Sequence, residues 1–235
     1  EVNYYAVIEI DGEEVAENYY SFYMPAKDIT LNVRFERLKP LEVGESTTIG
    51  NSTYTITAAA LENTIGTVRL DSLKDDGTAA VVIPDIVEIR GYSYRVTTVA
   101  GRALAANQTM TSLKIGAYVT SIGSYAVLGC KNLTKVYGGA RLKTIGTKAF
   151  ASCPKLKSFV ISSTVLSKIS SYTFSGDKSL KTIYVRKTTK LTKKGVKKSL
   201  KGSKIKTVKV KKSKVRKYKK YFTKKNCGRK VKVKK

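Results

Sequence analysis

Between residues 96 and 210 the apolar positions recur in a fixed register. "VTTVAGRALAANQTMTSLKI" lies over "VTSIGSYAVLGCKNLTKVYG", "LKTIGTKAFASCPKLKSFVI" and "LSKISSYTFSGDKSLKTIYV", and "LTKKGVKKSLKGSKIKTVKV" adds a weaker fifth copy. Met110, Leu133, Leu156, Leu180 and Ile205 mark one position, at steps of 23, 23, 24 and 25 residues. Leu113, Val136, Phe159, Ile183 and Val208 mark a second position, and Leu104, Val127, Phe150, Phe174 and Leu200 a third. Each copy closes on alternating apolar residues, which predicts a strand with one face turned inward. The small and aromatic residues before that strand suit a turn of helix. One copy cannot bury its apolar face alone, whereas stacked copies can, so the pattern predicts a solenoid whose strands join in a parallel sheet. At about 4.8 Å per strand, five rungs make a strip on the order of 20 to 25 Å long.

The flanking segments follow other patterns. "VNYYAVIEI" at 2–10 and "ITLNVRF" at 29–35 are rich in β-branched and aromatic residues, and "DGEE" at 11–14 carries an Asp-Gly turn signal. From 41 to 95 short β-like runs such as "STYTITAAA" and "TVRLDSL" alternate with turn residues, and "VVIP" and "IVEIRGYSYRV" predict a strand and a hairpin. In the tail, Val215, Tyr218 and Phe222 fall on one side of a short helix, with Ser213 as its N-cap and Gly228 as a stop. "VKVKK" then alternates Val231 and Val233 inward with lysines outward, as a last strand would.

The repeat resembles the BspA-like leucine-rich repeats of bacterial surface proteins, whose signature runs V-T-S-I-G-x-x-A-F-x-G-C-x-x-L-x-x-V-x-I. "VTSIGSYAVLGCKNLTKV" follows it, with Val127 where Phe is usual. "YSFYMPAKDITLNVRFE" resembles the closing strands of internalin-type B-repeat-like modules through Phe22, Met24, Pro25, Ala26, Asp28 and Phe35. The entry hairpin and lysine-rich ending are similar to the C-terminal repeat domains of surface proteins of gut Firmicutes. These resemblances imply a repeat solenoid, β-rich with short helical segments, that is, a right-handed β-α superhelix with a β-rich N-terminal cap. The expected parts are a partial β module at 1–38, the entry cap and hairpin at 39–95, the repeats at 96–212 and a helix-strand cap at 213–235. The implied setting is extracellular, on or secreted from a Gram-positive cell.

Charge adds an asymmetry to this picture. Residues 1–95 carry 8 Lys/Arg against 16 Asp/Glu, and residues 96–235 carry 37 against 1, giving about −8 and +36 of the total +28. Such a basic half points to an anionic partner, drawn by long-range attraction and counterion release. With no histidine and no tryptophan, the commonest general base and metal ligand are missing, so acid–base and zinc chemistry are not expected. No run approaches the roughly 20 apolar residues of a membrane span. The chain opens on Glu1 in mid-pattern, as a processed or truncated piece would.

Several residues could carry chemistry, and most have a structural reading. Cys130 and Cys153 share one repeat position with Asn107, Asp177 and Ser203, where a ladder residue meets turn backbone; a disulfide between rungs is the alternative. Asp177 is the sole carboxylate after residue 95 and falls in the same ladder. Gly123 and Gly146 occur once per repeat without a phosphate-loop pattern, and "DDG" at 75–77 lacks the spacing of a calcium loop. No catalytic, cofactor or metal residue is expected, and a glycoside hydrolase would find no carboxylate pair on the repeat sheet.

The alternation places Lys114, Tyr137, Val160, Tyr184 and Lys209 opposite the core, flanked by Lys135, Arg186 and Lys211. Tyrosines among cations can stack on a sugar or base while the cations hold an anion. The resemblance to surface repeats implies non-enzymatic adhesion to, or recognition of, a host protein, a glycan or an anionic cell-wall polymer. A structural spacer and a nucleic-acid binder remain the alternatives. Five arginines among those 37 cations leave few of the bidentate forks that a sequence-specific nucleic-acid reader uses.

Overall fold

The computed structural model describes residues 4–10, 12–14, 28, 30–188 and 190–235. At the N-terminal end β1 (Tyr4–Ile10) pairs antiparallel with both β2 (Glu13–Glu14) and β3 (Leu31–Arg37). Asp28 and Phe35 of the B-repeat-like signature are exposed, while its Phe22, Met24, Pro25 and Ala26 lie outside the described residues. Next come β4 (Ser46–Ile49), β5 (Ser52–Ala58), β6 (Gly66–Leu73), β7 (Ala80–Val82), β8 (Ile86–Ile89) and β9 (Tyr92–Val99). β8 and β9 form the hairpin expected from the sequence, with Arg90 and Gly91 at φ 53° and 77° in its turn, where two positive φ values suit the twist of the paired strands.

The repeats build a β-solenoid of about seven turns with little helix. Its strands are β10 (Ser112–Ile115), β11 (Ser121–Ile122), β12 (Lys135–Gly138), β13 (Thr144–Ile145), β14 (Ser158–Ile161), β15 (Lys168–Ile169), β16 (Thr182–Val185), β17 (Thr207–Val210) and β18 (Lys232–Lys234). One sheet runs β7-β10-β12-β14-β16-β17-β18, parallel throughout. A second runs β9-β11-β13-β15 in parallel and continues through β6 into the antiparallel β5 and β4. The sequence pattern indicated the first sheet; the second is carried by the "SI", "TI" and "KI" pairs, too short to stand out as strands. Val99, Ile122, Ile145 and Ile169 lie in register along it, all buried.

The third side of each rung is where the sequence reading expected a turn of helix, and the chain there makes turns instead. N–H groups alternate between two destinations. Those of Ala126 and Leu128 return to Gly123 and Tyr125 in their own rung, while those of Tyr125, Val127 and Gly129 donate to Thr147, Ala149 and Ala151 of the next. An α-helix sends every N–H back along its own axis, so a segment bonded this way cannot propagate one. Two left-handed residues bracket the alternation in each rung: Arg102, Tyr125, Lys148, Tyr172 and Lys198 open it, with φ between 52° and 64°, and Ala106, Gly129, Ser152, Gly176 and Gly202 close it. Leu104, Val127, Phe150, Phe174 and Leu200 still point inward and are buried, so the core is closed on three sides.

Gly123 and Gly146 owe their places to close approach between rungs. A Cβ on Gly146 would stand 2.5 Å from the Gly123 carbonyl carbon and the Ser124 nitrogen, and one on Gly123 would stand 2.5 Å from the Gly101 nitrogen. Because the obstacle is backbone, Gly146→Ala is expected to push adjacent rungs apart and cost about 1 to 3 kcal/mol, the range for overpacking. Urea denaturation checks this; an unchanged midpoint would mean that the rungs can separate freely at that point.

The tail docks on the solenoid end. After the 3₁₀ turn Lys212–Lys214 come α1 (Val215–Lys219) and α2 (Lys224–Cys227), with Tyr218, Phe222 and Cys227 buried and Val215 half-buried. Ser213 does not cap α1, because the 3₁₀ turn runs straight into it and Lys214 holds the cap position without a side-chain bond. Thr223 caps α2 by accepting from the Asn226 N–H at 3.2 Å, and Gly228 ends it with φ 80°. The Lys198 and Leu200 N–H groups donate to Asn226 and Cys227, and β18 pairs with β17, so the tail extends two of the three ladders by one more rung.

Candidate binding face

Side chains opposite the core on the first sheet form one continuous row. Strand pairing puts Val82 beside Lys114, then Tyr137, Val160, Tyr184, Lys209 and Lys234, one per rung. Five of these were expected from the alternation. Lys234 was expected outward on a last strand of the tail, whereas Val82 was not placed on this face, because β7 lies outside the repeat as it was read. A parallel row of Ser112, Lys135, Ser158, Thr182, Thr207 and Lys232 runs beside it, while Arg186 and Lys211 follow the ends of β16 and β17.

The tyrosines are less free than their alternation implies. The Lys135 ammonium sits 4.6 Å from the centroid of the Tyr137 ring, and the Arg186 guanidinium 5.3 Å from that of Tyr184. Each ring thus already holds a cation of its own. Between them Val160 is 36% exposed, leaving a three-rung strip of ring and methyl groups bordered by positive charge. At the far end of the face an open groove of about 530 Å³ is lined by Arg186, Lys209, Val210, Lys211, Lys212 and Lys235. It spans β16, β17 and β18 and contains no side-chain carboxylate.

Two rings that each hold a pair of cations escaped the sequence reading. Arg95 and Arg141 stand 5.0 and 4.8 Å from the Tyr118 ring centroid, and Arg102 and Lys148 stand 5.6 and 5.8 Å from that of Tyr125. Both sets follow the 23-residue step, since residues 95, 118 and 141, like 102, 125 and 148, occupy one position in successive rungs. The repeat register applied to every position, rather than to the apolar ones alone, would have found them.

The ladder residues bond as structural groups. The Cys130 and Cys153 thiols are free and buried, and they donate to the carbonyls of Leu104 and Val127 at 3.1 and 3.2 Å. A side-chain hydrogen bond with Cys130, together with burial and the nearby Asp177, pushes the Cys153 thiol far up, away from the thiolate a nucleophile needs. Asn107 accepts from the Met110 N–H at 2.7 Å, and Ser203 donates to the Leu200 carbonyl at 2.8 Å. Asp177 accepts from the Cys153 N–H at 2.8 Å through one oxygen, while its other oxygen is buried without a partner. Burial raises its carboxyl to about 8 from an ordinary 3.8.

The acidic "DDG" turn closes the entry end of the repeats. Asp75 accepts from the N–H groups of Gln108 and Thr109 and from the Thr109 hydroxyl, and those bonds hold its carboxyl below the usual range. Asp85 likewise takes the Ala117 N–H at 2.5 Å. Among the described residues, no group of three or more His, Cys, Asp or Glu is arranged to hold a metal ion, and no helix is long and apolar enough to cross a membrane.

The profile of the BspA type leucine rich repeat region matches residues 97–227 in six copies, one more than the sequence reading counted, and reaches into the tail. A leucine-rich repeat protein from Bacteroides capillosus is 26% identical over 52% of this chain and 94% of its own, with a TM-score of 0.43. The pneumococcal vaccine antigen PcpA is 18% identical over 73% of this chain and 65% of its own, with a TM-score of 0.45. A leucine rich cell surface protein from Faecalibacterium prausnitzii is 18% identical over 72% of this chain and 46% of its own, with a TM-score of 0.43. No curated protein matches the chain.

Proposed function

Since the chain belongs to the BspA type leucine rich repeat family, we propose that it is a non-enzymatic binding scaffold of a bacterial cell surface. Its first sheet would take a host protein or a glycan. The observation that carries this reading is the strip of Tyr137, Val160 and Tyr184, three successive outward positions that present ring and methyl surface on an otherwise cationic face. Large aromatic side chains on a flat, rigid sheet provide contact area at little cost in entropy, and bordering cations orient an incoming carboxylate or sulfate. The same rings stack on sugar faces.

The test is a screen of host extracellular proteins and glycans with the parent and a Tyr137→Ala/Tyr184→Ala double variant. Both tyrosines are half-buried on the outer face rather than in the core, so the variant is expected to fold and to lose affinity for the captured ligand by at least about tenfold, as hot-spot aromatics do. Equal binding by both proteins to every ligand would remove this reading. It would then favour a second one, a spacer that displays other domains, which draws support from the Lys135 and Arg186 side chains already occupying the two rings.

A further inference from the structure

The groove at the solenoid's C-terminal end differs in chemistry from the tyrosine strip. Its wall is made by cations from three successive rungs: Arg186 after β16, Lys209, Lys211 and Lys212 in and after β17, and Lys235 after β18, around the buried Val210. None of these cations has a recorded carboxylate partner, since every ion pair recorded among the described residues lies between residues 9 and 71. The one carboxylate residue in the C-terminal 140 residues, Asp177, is buried and held largely protonated. Among the described residues, no side-chain carboxylate lines the groove to offset the positive field.

The form of the groove selects among anions. It is open and its cations are on the surface, so it lacks the enclosed, convergent donors that grip a single small anion. It offers charge in sequence instead, rung after rung at a spacing of about 4.8 Å, which suits a chain bearing anions at short regular intervals. Among polyanions, single-stranded nucleic acids are held by aromatic side chains on which bases stack, and this groove has no aromatic lining residue. Four of its five cations are lysine point charges, which suit a flexible phosphodiester whose phosphates need no bidentate fork.

We infer that this groove binds a linear phosphodiester polymer without bases, a poly(polyol phosphate) chain, at a site that adjoins the tyrosine strip at Tyr184 but has no aromatic residue in its own lining. The inference rests on the reading of this sheet as a binding surface and adds a second ligand class to it. Contact with the polymer releases counterions, so affinity falls steeply with salt.

The experiment titrates the full chain with defined-length poly(glycerol phosphate), with inorganic phosphate and with an oligodeoxythymidine of equal charge, at several salt concentrations. Three variants accompany the parent: Lys209→Gln/Lys211→Gln/Lys212→Gln in the groove, Lys157→Gln/Lys178→Gln/Lys204→Gln as an exposed control of equal charge, and Tyr137→Ala/Tyr184→Ala. The groove triple is expected to bind the polymer at least about tenfold more weakly, with a log–log salt slope shallower by about two, and the control within about threefold of the parent. The tyrosine variant is expected to lose less polymer affinity than the groove triple, since Tyr184 touches the groove only through Arg186 and Lys209. Equal losses in groove triple and control, competition by inorganic phosphate at comparable concentration, or equal affinity for the oligodeoxythymidine would overturn the assignment. Polymer binding lost in the tyrosine variant and kept in the groove triple would also overturn it, while leaving the tyrosine strip as a binding surface.

Discussion

Replacing Asp177 by asparagine is expected to stabilise the protein above neutral pH and to flatten its pH–stability curve between about pH 4 and 8. The reason lies in the ladder. Cys130 and Cys153 each donate a thiol hydrogen to a carbonyl of the preceding rung, those of Leu104 and Val127. The corresponding carbonyl one rung on is that of Phe150, but an ionised Asp177 has no hydrogen to give. One oxygen takes the Cys153 N–H and the other stays buried and unpartnered. The fold therefore favours the neutral acid, and the carboxyl rises to about 8 against 3.8.

A folded-state value raised above the unfolded one means that the native chain holds a proton the unfolded chain has released. The stabilisation is complete below about pH 4 and is lost as pH rises towards 8. At about 1.4 kcal/mol per unit the ceiling is on the order of 6 kcal/mol, and relaxation around the site is expected to leave roughly 2 to 3. Asparagine keeps the acceptor and supplies a donor at every pH, as Asn107 does in the first rung by accepting through its oxygen. Thermal melts of parent and variant at pH 5 and pH 8 decide the matter. A parent whose stability is level across that range would show that Asp177 is ionised and otherwise satisfied in the native state.

A second large effect is expected in the middle of the stack. Phe159 points inward from β14 and meets Phe150 and Phe174 edge-on, at centroid distances of 5.1 and 4.8 Å, while those two rings stack on each other at 6.2 Å. All three are fully buried. Phe159→Ala empties the centre of that triad and is expected to cost about 3 to 5 kcal/mol. The next residue, Val160, faces the other way and is 36% exposed, so Val160→Ala is expected to cost under about 0.5 kcal/mol. Each rung leans only on its neighbours, so the cavity should weaken cooperativity between the two halves of the solenoid. Amide exchange on β12 and β16 should quicken in the Phe159 variant and stay unchanged in the Val160 variant. Comparable losses of stability in the two variants would contradict the inward–outward assignment on β14.

Much of this architecture was legible because a 23-residue step brings like residues to like places. Phe159 and Val160 could be assigned to opposite faces from alternation alone, and Asn107, Cys130, Cys153, Asp177 and Ser203 could be recognised as one ladder. The turn segments were misread because small and aromatic residues are compatible with a helical turn, whereas the alternating N–H directions that forbid one depend on acceptors in the next rung. Tyr137 and Tyr184 were placed on the right face but credited with more freedom than they have, since Lys135 and Arg186 cover them across space.

The amino-acid order by itself determined that the chain stacks, which residues face inward, and that positive charge gathers in the C-terminal half. Those properties follow from periodicity and composition, which need no knowledge of neighbours in space. Only the tertiary structure decided that the expected last strand pairs in parallel with β17, that Asp177 is buried with one oxygen unpartnered, and that cations at the ends of β16, β17 and β18 share one groove. Each of these is set by contact between residues about 20 to 30 positions apart, at the distance where one rung meets the next, and burial there determines which charges meet water and which must give it up.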